Sequence, residues 1–532
     1  MSLLQASGLN LWIGNTRILN EISFSLDAGK VLGVIGESGA GKSMTALSIM
    51  RLLPAGARLG GEVRLDSQSL LGRPERELDA IRGRDIGMVF QEPMTALDPL
   101  KTIGAQVVEP ILAHTGMRRR EAFAEADRAL TRAGLPTAEF PRDRFPHELS
   151  GGQRQRVVIA AAIALRPKLL IADEPTTALD VTTQAHILAL FRRLVDEDGT
   201  ALMFITHDLA VFSGLADDVV VMRDGEIVDR GATAGMFRAP AHPYTRRLLE
   251  ASAHVPTRAP VPSGSPPILD VQSVTRDYRI GRRGWFGPEA SIRAVTEVSF
   301  SIGRGESVGL VGESGSGKST LARAVLGLDP LQGGQIAVDG APLGEHDSVG
   351  RRKLQAVFQD PYGSFDPRQR VETLVTEPLY LLGPDAPRGA ERRRRAEAAL
   401  ARVGLAATDC DKYIHEFSGG QRQRIAIARA LIVEPKLIVL DEAVSALDVS
   451  IRAQILDLLA ELGNRLGIAY LFISHDLSVV RAITDRVLVM RHGRIVESGP
   501  TQEVLTNPQH PYTRELIAAV PRLDLAPPAD AT

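Results

Sequence analysis

The sequence predicts an α/β fold written twice, each half a mainly parallel sheet covered by helices. Three observations carry this expectation. At 532 residues the chain exceeds what one hydrophobic core usually supports, so two or more domains are expected. Gln91, Ser150, Asp173 and His207 each recur 268 positions later with their neighbours, as Gln359, Ser418, Asp441 and His475. Apolar, strand-like runs alternate with helix-competent stretches, the pattern of parallel strands joined by crossover helices. A unit of about 260 residues is too long for a solenoid repeat, so the chain reads as a domain duplication.

Each half opens on a glycine loop. Gly36-Glu37-Ser38-Gly39-Ala40-Gly41-Lys42-Ser43 and Gly312-Glu313-Ser314-Gly315-Ser316-Gly317-Lys318-Ser319-Thr320 both fit Gly, four free positions, then Gly-Lys-Ser. Apolar runs precede them, at 31–35 and 308–311, and helix-competent runs follow from Met44 and Leu321. A strand thus feeds a loop that opens a helix, so backbone N–H groups and the positive end of the helix dipole converge on one anion. Lys42 and Lys318 reach the outer phosphates, while Ser43 and Ser319 offer a hydroxyl to Mg²⁺. The loops stand 276 positions apart, so the first half carries eight more residues between loop and Gln, in a charged, Gly-containing stretch from Arg58 to Arg84.

Composition narrows the class. A hydrophobic share of 44% with 24% charged residues is ordinary for soluble protein, and a net charge of −2 argues against a strongly basic nucleic-acid binder. The lone Cys410 excludes an internal disulfide, a Cys₄ zinc site and a cysteine-ligated iron–sulfur cluster, and fits a reducing compartment. Residues 1–16 hold no Lys or Arg and no long apolar run, so no secretory signal is expected. The most apolar helix candidate, Val157 to Leu165, is nine residues long, about half of what crosses a bilayer. Work at a membrane would therefore need other chains to span it.

The runs 169–173 and 437–441 end in Asp173 and Asp441, each followed by a Glu (Glu174, Glu442), and 201–207 and 468–475 end in His207 and His475. Continuous apolar runs suit buried central strands, which deliver these groups to one edge of each sheet. Gln to Ser-Gly-Gly spans 59 residues in both halves and is helix-rich, including 118–130 and 391–403. The arginine runs there interleave with acids and read as a solvated helix face. Ser150-Gly151-Gly152-Gln153 and Ser418-Gly419-Gly420-Gln421 precede helices that the serines can cap, with N–H groups left for a second anion site. Residues 253–267, with five prolines, read as an extended, semi-rigid linker between domains 1–252 and 268–525. The tail 526–532 is expected to be disordered. Trp12 and Tyr278 are candidates to stack on adenine, and Trp285-Phe286 reads as an exposed contact.

In this order the motifs resemble the ATP-binding domain of ABC transporters, over both halves almost end to end. The Ser-Gly-Gly-Gln motif makes the resemblance specific, because other phosphate-loop ATPases lack it. The resemblance implies two tandem P-loop ABC ATPase domains, each adding an antiparallel β subdomain and a helical subdomain, with ATP and Mg²⁺ bound. ATP would lie on Gly36, Ser38, Gly39, Gly41, Lys42, Ser43 and Met44, and on Gly312, Ser314, Gly315, Ser316, Gly317, Lys318, Ser319 and Thr320. Mg²⁺ would be held by Ser43, Gln91 and Asp173, and by Ser319, Gln359 and Asp441. Glu174 and Glu442 would orient or deprotonate the attacking water, and His207 and His475 would contact the γ-phosphate. The serine-glycine turns then become lids: Ser418 to Gln421 over nucleotide at Lys42, and Ser150 to Gln153 over nucleotide at Lys318. Asp180 and Asp448 would communicate across that interface. Ala443-Val444-Ser445 stands where the first half has Pro175-Thr176-Thr177, which is expected to relax the backbone after Glu442 while removing no chemical group. Both sites are expected to hydrolyse ATP.

The wording Gln91-Glu92-Pro93-Met94-Thr95-Ala96-Leu97-Asp98-Pro99, its counterpart from Asp360 to Arg368, and the endings His242-Pro243-Tyr244-Thr245 and His510-Pro511-Tyr512-Thr513 look like bacterial dipeptide, oligopeptide and nickel importer ATPases of the fused type. That resemblance implies two membrane permease subunits, an extracytoplasmic solute-binding protein and no nucleic acid, with the chain peripheral at the cytoplasmic face of the inner membrane. The solute touches the partners, so dipeptide, oligopeptide, glutathione, nickel and peptide antibiotic stay open. The C-terminal cysteine cluster of many single-domain relatives is absent, so no iron–sulfur cluster is expected. The alternative is a soluble twin ATPase acting on ribosomes or DNA, which calls for a charged helical linker, zinc cysteines or a long heptad insertion.

Overall fold

The computed structural model describes residues 2–91, 93–177, 179–259, 266–280, 290–344, 347–360, 363–445, 447–521 and 523. In the first half a six-stranded sheet runs from edge to edge as Glu226–Ala232, Asp218–Arg223, Val31–Ile35, Ala201–Ile205, Leu169–Asp173 and Ile86–Val89. Its first pair is antiparallel and every other pair parallel. The second half repeats it as Arg494–Pro500, Arg486–Arg491, Ser307–Val311, Ala469–Ile473, Leu437–Asp441 and Leu354–Val357. The strands that enter the glycine loops are buried along their whole length, because helices or a second sheet cover both faces.

That second sheet is antiparallel and four-stranded: Thr16–Asp27, Ser2–Ile13, Ala57–Leu65 and Gln68–Ser69, then Ala290–Ile302, Leu269–Ile280, Gly333–Val338 and Ala341–Pro342. In the first half one core joins it to the helix Lys42–Met50 and one face of the parallel sheet. Another core joins the opposite face to Ile103–His114, Arg119–Arg132, Gly151–Ile163 and Val181–Asp198. The α/β expectation holds, with both accessory sheets and helices in place.

The eight extra residues of the first half fall in two places. The strand register matches Leu65 to Val338, so three precede that strand and five follow it. Of the arginine runs, Arg118, Arg119, Arg120, Arg394 and Arg395 are exposed as expected. Arg393 departs from a solvated face: it pairs with Glu372, Glu397 and Asp411 at 2.9, 2.8 and 2.7 Å, pinning its helix to the rest of the helical lobe.

The linker is also more than a spacer. His254 bonds Asp457 at 2.7 Å, Arg258 bonds the Ile483 carbonyl at 2.7 Å and Asp485 at 2.9 Å, and the Ala259 amide donates to Asn464 at 2.8 Å. The helix Pro243–Ser252 just before it packs on Val449–Leu466 of the second half. Reciprocally, Pro511–Ala518 packs on Val181–Asp198 of the first half, and Leu523 reaches the first half's core. Each half thus ends by crossing onto the other. Trp285, Phe286 and the tail 526–532 lie outside the described residues.

Candidate functional site

The loop glycines are where backbone leaves no room for a side chain. A Cβ on Gly36 would stand 2.3 Å from the Met222 carbonyl oxygen, and one on Gly312 2.2 Å from that of Met490. Gly41 and Gly317 cap the following helices with φ of 96° and 106°, which L residues rarely adopt. Lys42 curls back so that Nζ donates to the carbonyls of Gly36 at 2.7 Å and Glu37 at 3.0 Å. Lys318 does the same to Gly312 and Glu313, at 2.7 and 2.8 Å. The helices that begin at these lysines have first-turn N–H groups with no intrahelical partner, a ready anion site.

Asp173 and Asp441 end their strands beside the loops. Burial pushes each carboxyl up to about 6; the Glu174 charge adds to it at Asp173 while Ser43 and Lys42 oppose, and at Asp441 Glu442 adds and Lys318 opposes. Oδ1 of Asp173 is buried with no hydrogen-bond partner, an oxygen left for a cation. Among the described residues no group of three or more His, Cys, Asp or Glu could hold a metal. A cation beside this carboxylate would be completed by the Ser43 hydroxyl and by ligand oxygens, an all-oxygen set of the kind Mg²⁺ takes.

Glu174 follows with φ 46° and Glu442 with φ 51°, and each amide donates to a neighbouring strand, at the Ile205 and Ile473 carbonyls, both 2.9 Å. Around Glu174, burial raises its pKa but the His207, Lys42 and Thr177 contacts outweigh it, bringing it to about 2. Gln91 Nε2 and Thr177 Oγ1 donate to its Oε2 at 3.1 and 3.0 Å, and His207 Nδ1 lies 3.4 Å away. Glu442 is lowered against burial by His475, whose Nδ1 is 3.2 Å away, and by Lys318. Losing Pro does not relax this backbone, contrary to expectation. The two φ values nearly match, and Ser445 Oγ braces the turn by donating to the Glu442 carbonyl at 2.9 Å. Gln359 is exposed at the end of Leu354–Val357.

Ser150 and Ser418 cap their helices as the sequence suggests, with Gln153 and Gln421 reaching back to the serine amides at 2.9 and 3.0 Å. Gly152 and Gly420 are glycines because Thr183 and Ile451 side chains would meet a Cβ at 2.4 and 2.6 Å, whereas a Cβ on Gly151 or Gly419 meets nothing within 4 Å. These turns do not border the hollow of about 210 Å³ at Lys318, whose lining includes Asp180, Ser319, Glu442 and His475. What crosses between halves is the aspartate pair. Asp448 Oδ1 accepts from the Ser38 amide at 2.9 Å, and Asp180 Oδ2 from the Ser314 amide at 3.4 Å.

The two aromatic candidates are not equivalent. Trp12 pairs with Arg17 as Asp277 pairs with Arg293, whereas Tyr278 pairs with Ile292 and so matches Ile13. Side chains alternate along a strand, so the rings lie on opposite faces. Trp12 takes Arg17 over its ring at 5.3 Å and neighbours Gly60, while Tyr278 donates to Asp329, just past the helix that follows its own loop. Sequence reading also passed over Tyr244 and Tyr512, treating them only as marks of resemblance. Each phenol accepts a glycine-loop amide, from Glu37 at 3.2 Å and from Glu313 at 2.9 Å.

Two phosphate loops, each with an acid pair and a histidine at the same sheet edge, define a pair of nucleotide-hydrolysing cassettes. Comparison with known proteins agrees: the ABC transporter family matches residues 19–177 and 295–445, and the oligopeptide/dipeptide transporter C-terminal region matches 228–272 and 496–529. The chain is 46% identical over 545 residues to the glutathione import ATP-binding protein GsiA of Escherichia coli K12, covering 94% of this chain and 86% of that protein. With its Salmonella typhimurium LT2 namesake it is 45% identical over 562 residues, covering 98% and 90%. Among solved structures, a dimeric bacterial ABC transporter cassette, MJ0796, matches at 30% identity and TM-score 0.39, covering 43% of this chain and 98% of that one. The chain belongs to the ABC transporter family of ATP-binding proteins, in its peptide-importer branch, and is an ATPase. Among the described residues no helix is long and apolar enough to cross a membrane.

Proposed function

We propose that this chain is the motor of a bacterial importer for small peptides, glutathione-like tripeptides among them. It would sit at the cytoplasmic face of the inner membrane under two permease subunits supplied by an extracytoplasmic solute-binding protein. The relatives' names and the peptide-transporter C-terminal regions support the solute class. The same regions disfavour a twin ATPase acting on ribosomes or DNA. We place the division between the cassettes in 253–267.

The observation that carries the motor reading is the reciprocal reach of Asp448 to Ser38 and Asp180 to Ser314, which faces the two loops head to tail. Mg²⁺ would be held by Ser43, Gln91 and Asp173 and by Ser319, Gln359 and Asp441, and when bound it neutralises charge on the outer phosphates. Glu174 and Glu442, kept ionised by their histidines, accept a proton from or orient the attacking water. Ser418 to Gln421 and Ser150 to Gln153 close over ATP, so nucleotide stabilises the closed pair and hydrolysis releases it.

The test is uptake of labelled glutathione and of di- and tripeptides by cells producing the chain with the permeases encoded beside it. Uptake lost in Lys42→Ala and Lys318→Ala variants is expected. ATP hydrolysis with no solute accumulated, and co-purification with ribosomes or DNA, would reverse the reading.

A further inference from the structure

The first two amides after the leading glycine of each loop are both taken by groups from outside the loop. In the first half the Glu37 amide donates to the Tyr244 phenol at 3.2 Å and the Ser38 amide to Asp448 of the second half at 2.9 Å. In the second half the Glu313 amide donates to the Tyr512 phenol at 2.9 Å and the Ser314 amide to Asp180 at 3.4 Å. The same arrangement is built in both halves, so it is not an accident of one side chain.

The phenols are placed with care. Tyr244 and Tyr512 are 4% and 1% exposed, and each opens a helix whose N-cap histidine, His242 or His510, accepts the tyrosine amide at 3.1 or 3.2 Å. Arg223 lies over the Tyr244 ring at 5.2 Å and Arg491 over Tyr512 at 4.6 Å. The aspartate that takes the neighbouring amide comes from the opposite half. The helices that carry the tyrosines are the same two that cross onto the other half.

We infer that Tyr244 and Tyr512 are positioning residues that hold the phosphate loops in their nucleotide-binding shape, and that they tie each loop to the helix crossing onto the opposite half. An amide held by the phenol cannot rotate inward, so the leading edge of the loop stays splayed and the remaining amides stay directed at the anion. An unbraced loop has to be ordered by the nucleotide itself, which weakens binding. This inference rests on ATP binding at the two loops.

The experiment measures equilibrium binding of a fluorescent ATP analogue to the full chain. Lys318→Ala leaves only the first loop reporting, and Tyr244→Phe is added to it; the mirrored pair is Lys42→Ala with Tyr512→Phe. Phenylalanine keeps the ring and its stacking and removes only the acceptor. Affinity is expected to fall about 3- to 10-fold at the loop whose own tyrosine is changed. Tyr512→Phe in the Lys318→Ala background is expected to leave the first loop's affinity unchanged. Unchanged affinity in both own-loop variants overturns the inference, even if the melting midpoint falls. Equal weakening by the non-cognate tyrosine overturns it too, as a global effect. If neither background binds nucleotide while the wild type also fails, the ATP reading itself is lost and the inference goes with it.

Discussion

Glu174 and Glu442 adopt a backbone conformation that costs a non-glycine residue roughly 1–3 kcal/mol. The cost turns each carboxylate off its strand toward its histidine and loop. Because φ at Glu442 nearly matches that at Glu174, the second glutamate leaves its strand in the same direction and keeps its histidine, although Ser445 bonds the Glu442 carbonyl where Thr177 bonds the Glu174 carboxylate. Glu442→Gln is therefore expected to lower steady-state phosphate release by about 10²-fold or more; turnover at the wild-type level would remove the second site from catalysis. Cys410 makes the opposite case of a residue with no chemistry to do. It is fully buried, and burial pushes its thiol up to about 11, with Arg393 opposing and Glu397 adding. At pH 8 on the order of one thiol in a thousand is ionised. A thiol reagent is expected to leave it unlabelled in the folded chain and label it in urea, and fast native labelling would contradict that burial.

At the scale of elements, the helices after the Asp-containing turns differ by one charge in their first turn. Val449–Leu466 carries Arg452, whose guanidinium bonds Asp476 at 2.7 Å, where Val181–Asp198 carries Gln184 at the matching position. Arg452 lies in a cleft of about 230 Å³ between the halves, shared with His207, Asp208, His475 and Asp476. Burial and the charge of Asp476 push Asp208 up, while Arg452 pulls Asp476 below the usual carboxylate range against its burial. One arginine thus serves two facing acids. Arg452→Gln raises both carboxyls, so the loss appears above the ordinary carboxylate range and shrinks as pH falls and the acids protonate. A loss of about 1–3 kcal/mol at pH 8, smaller at pH 5, is expected by urea unfolding. An equal loss at both pH values would assign Arg452 a packing role alone.

At the scale of the molecule, the halves are joined by more than their linker. The crossing helices and the bonds from His254, Arg258 and Ala259 to the second half hold them together. A protease site inserted between 260 and 265 is expected to yield two fragments that still co-elute on size exclusion without nucleotide; separation on cutting would show that the covalent link does the holding. The motifs, the duplication, the buried parallel strands and the helix caps were legible in the sequence, because each is set within a few residues: glycine where backbone crowds, serine before an N-terminus, unbroken apolar runs where a strand is covered on both faces. Those local signals determined which groups gather at each sheet edge. Only the tertiary structure decided that Trp12 and Tyr278 face opposite ways, that the proline segment is strapped down, and that Tyr244 and Tyr512 reach the loops. Each of these depends on a register or on a contact between residues some 200 positions apart, and no pattern along a single chain encodes which distant surfaces meet.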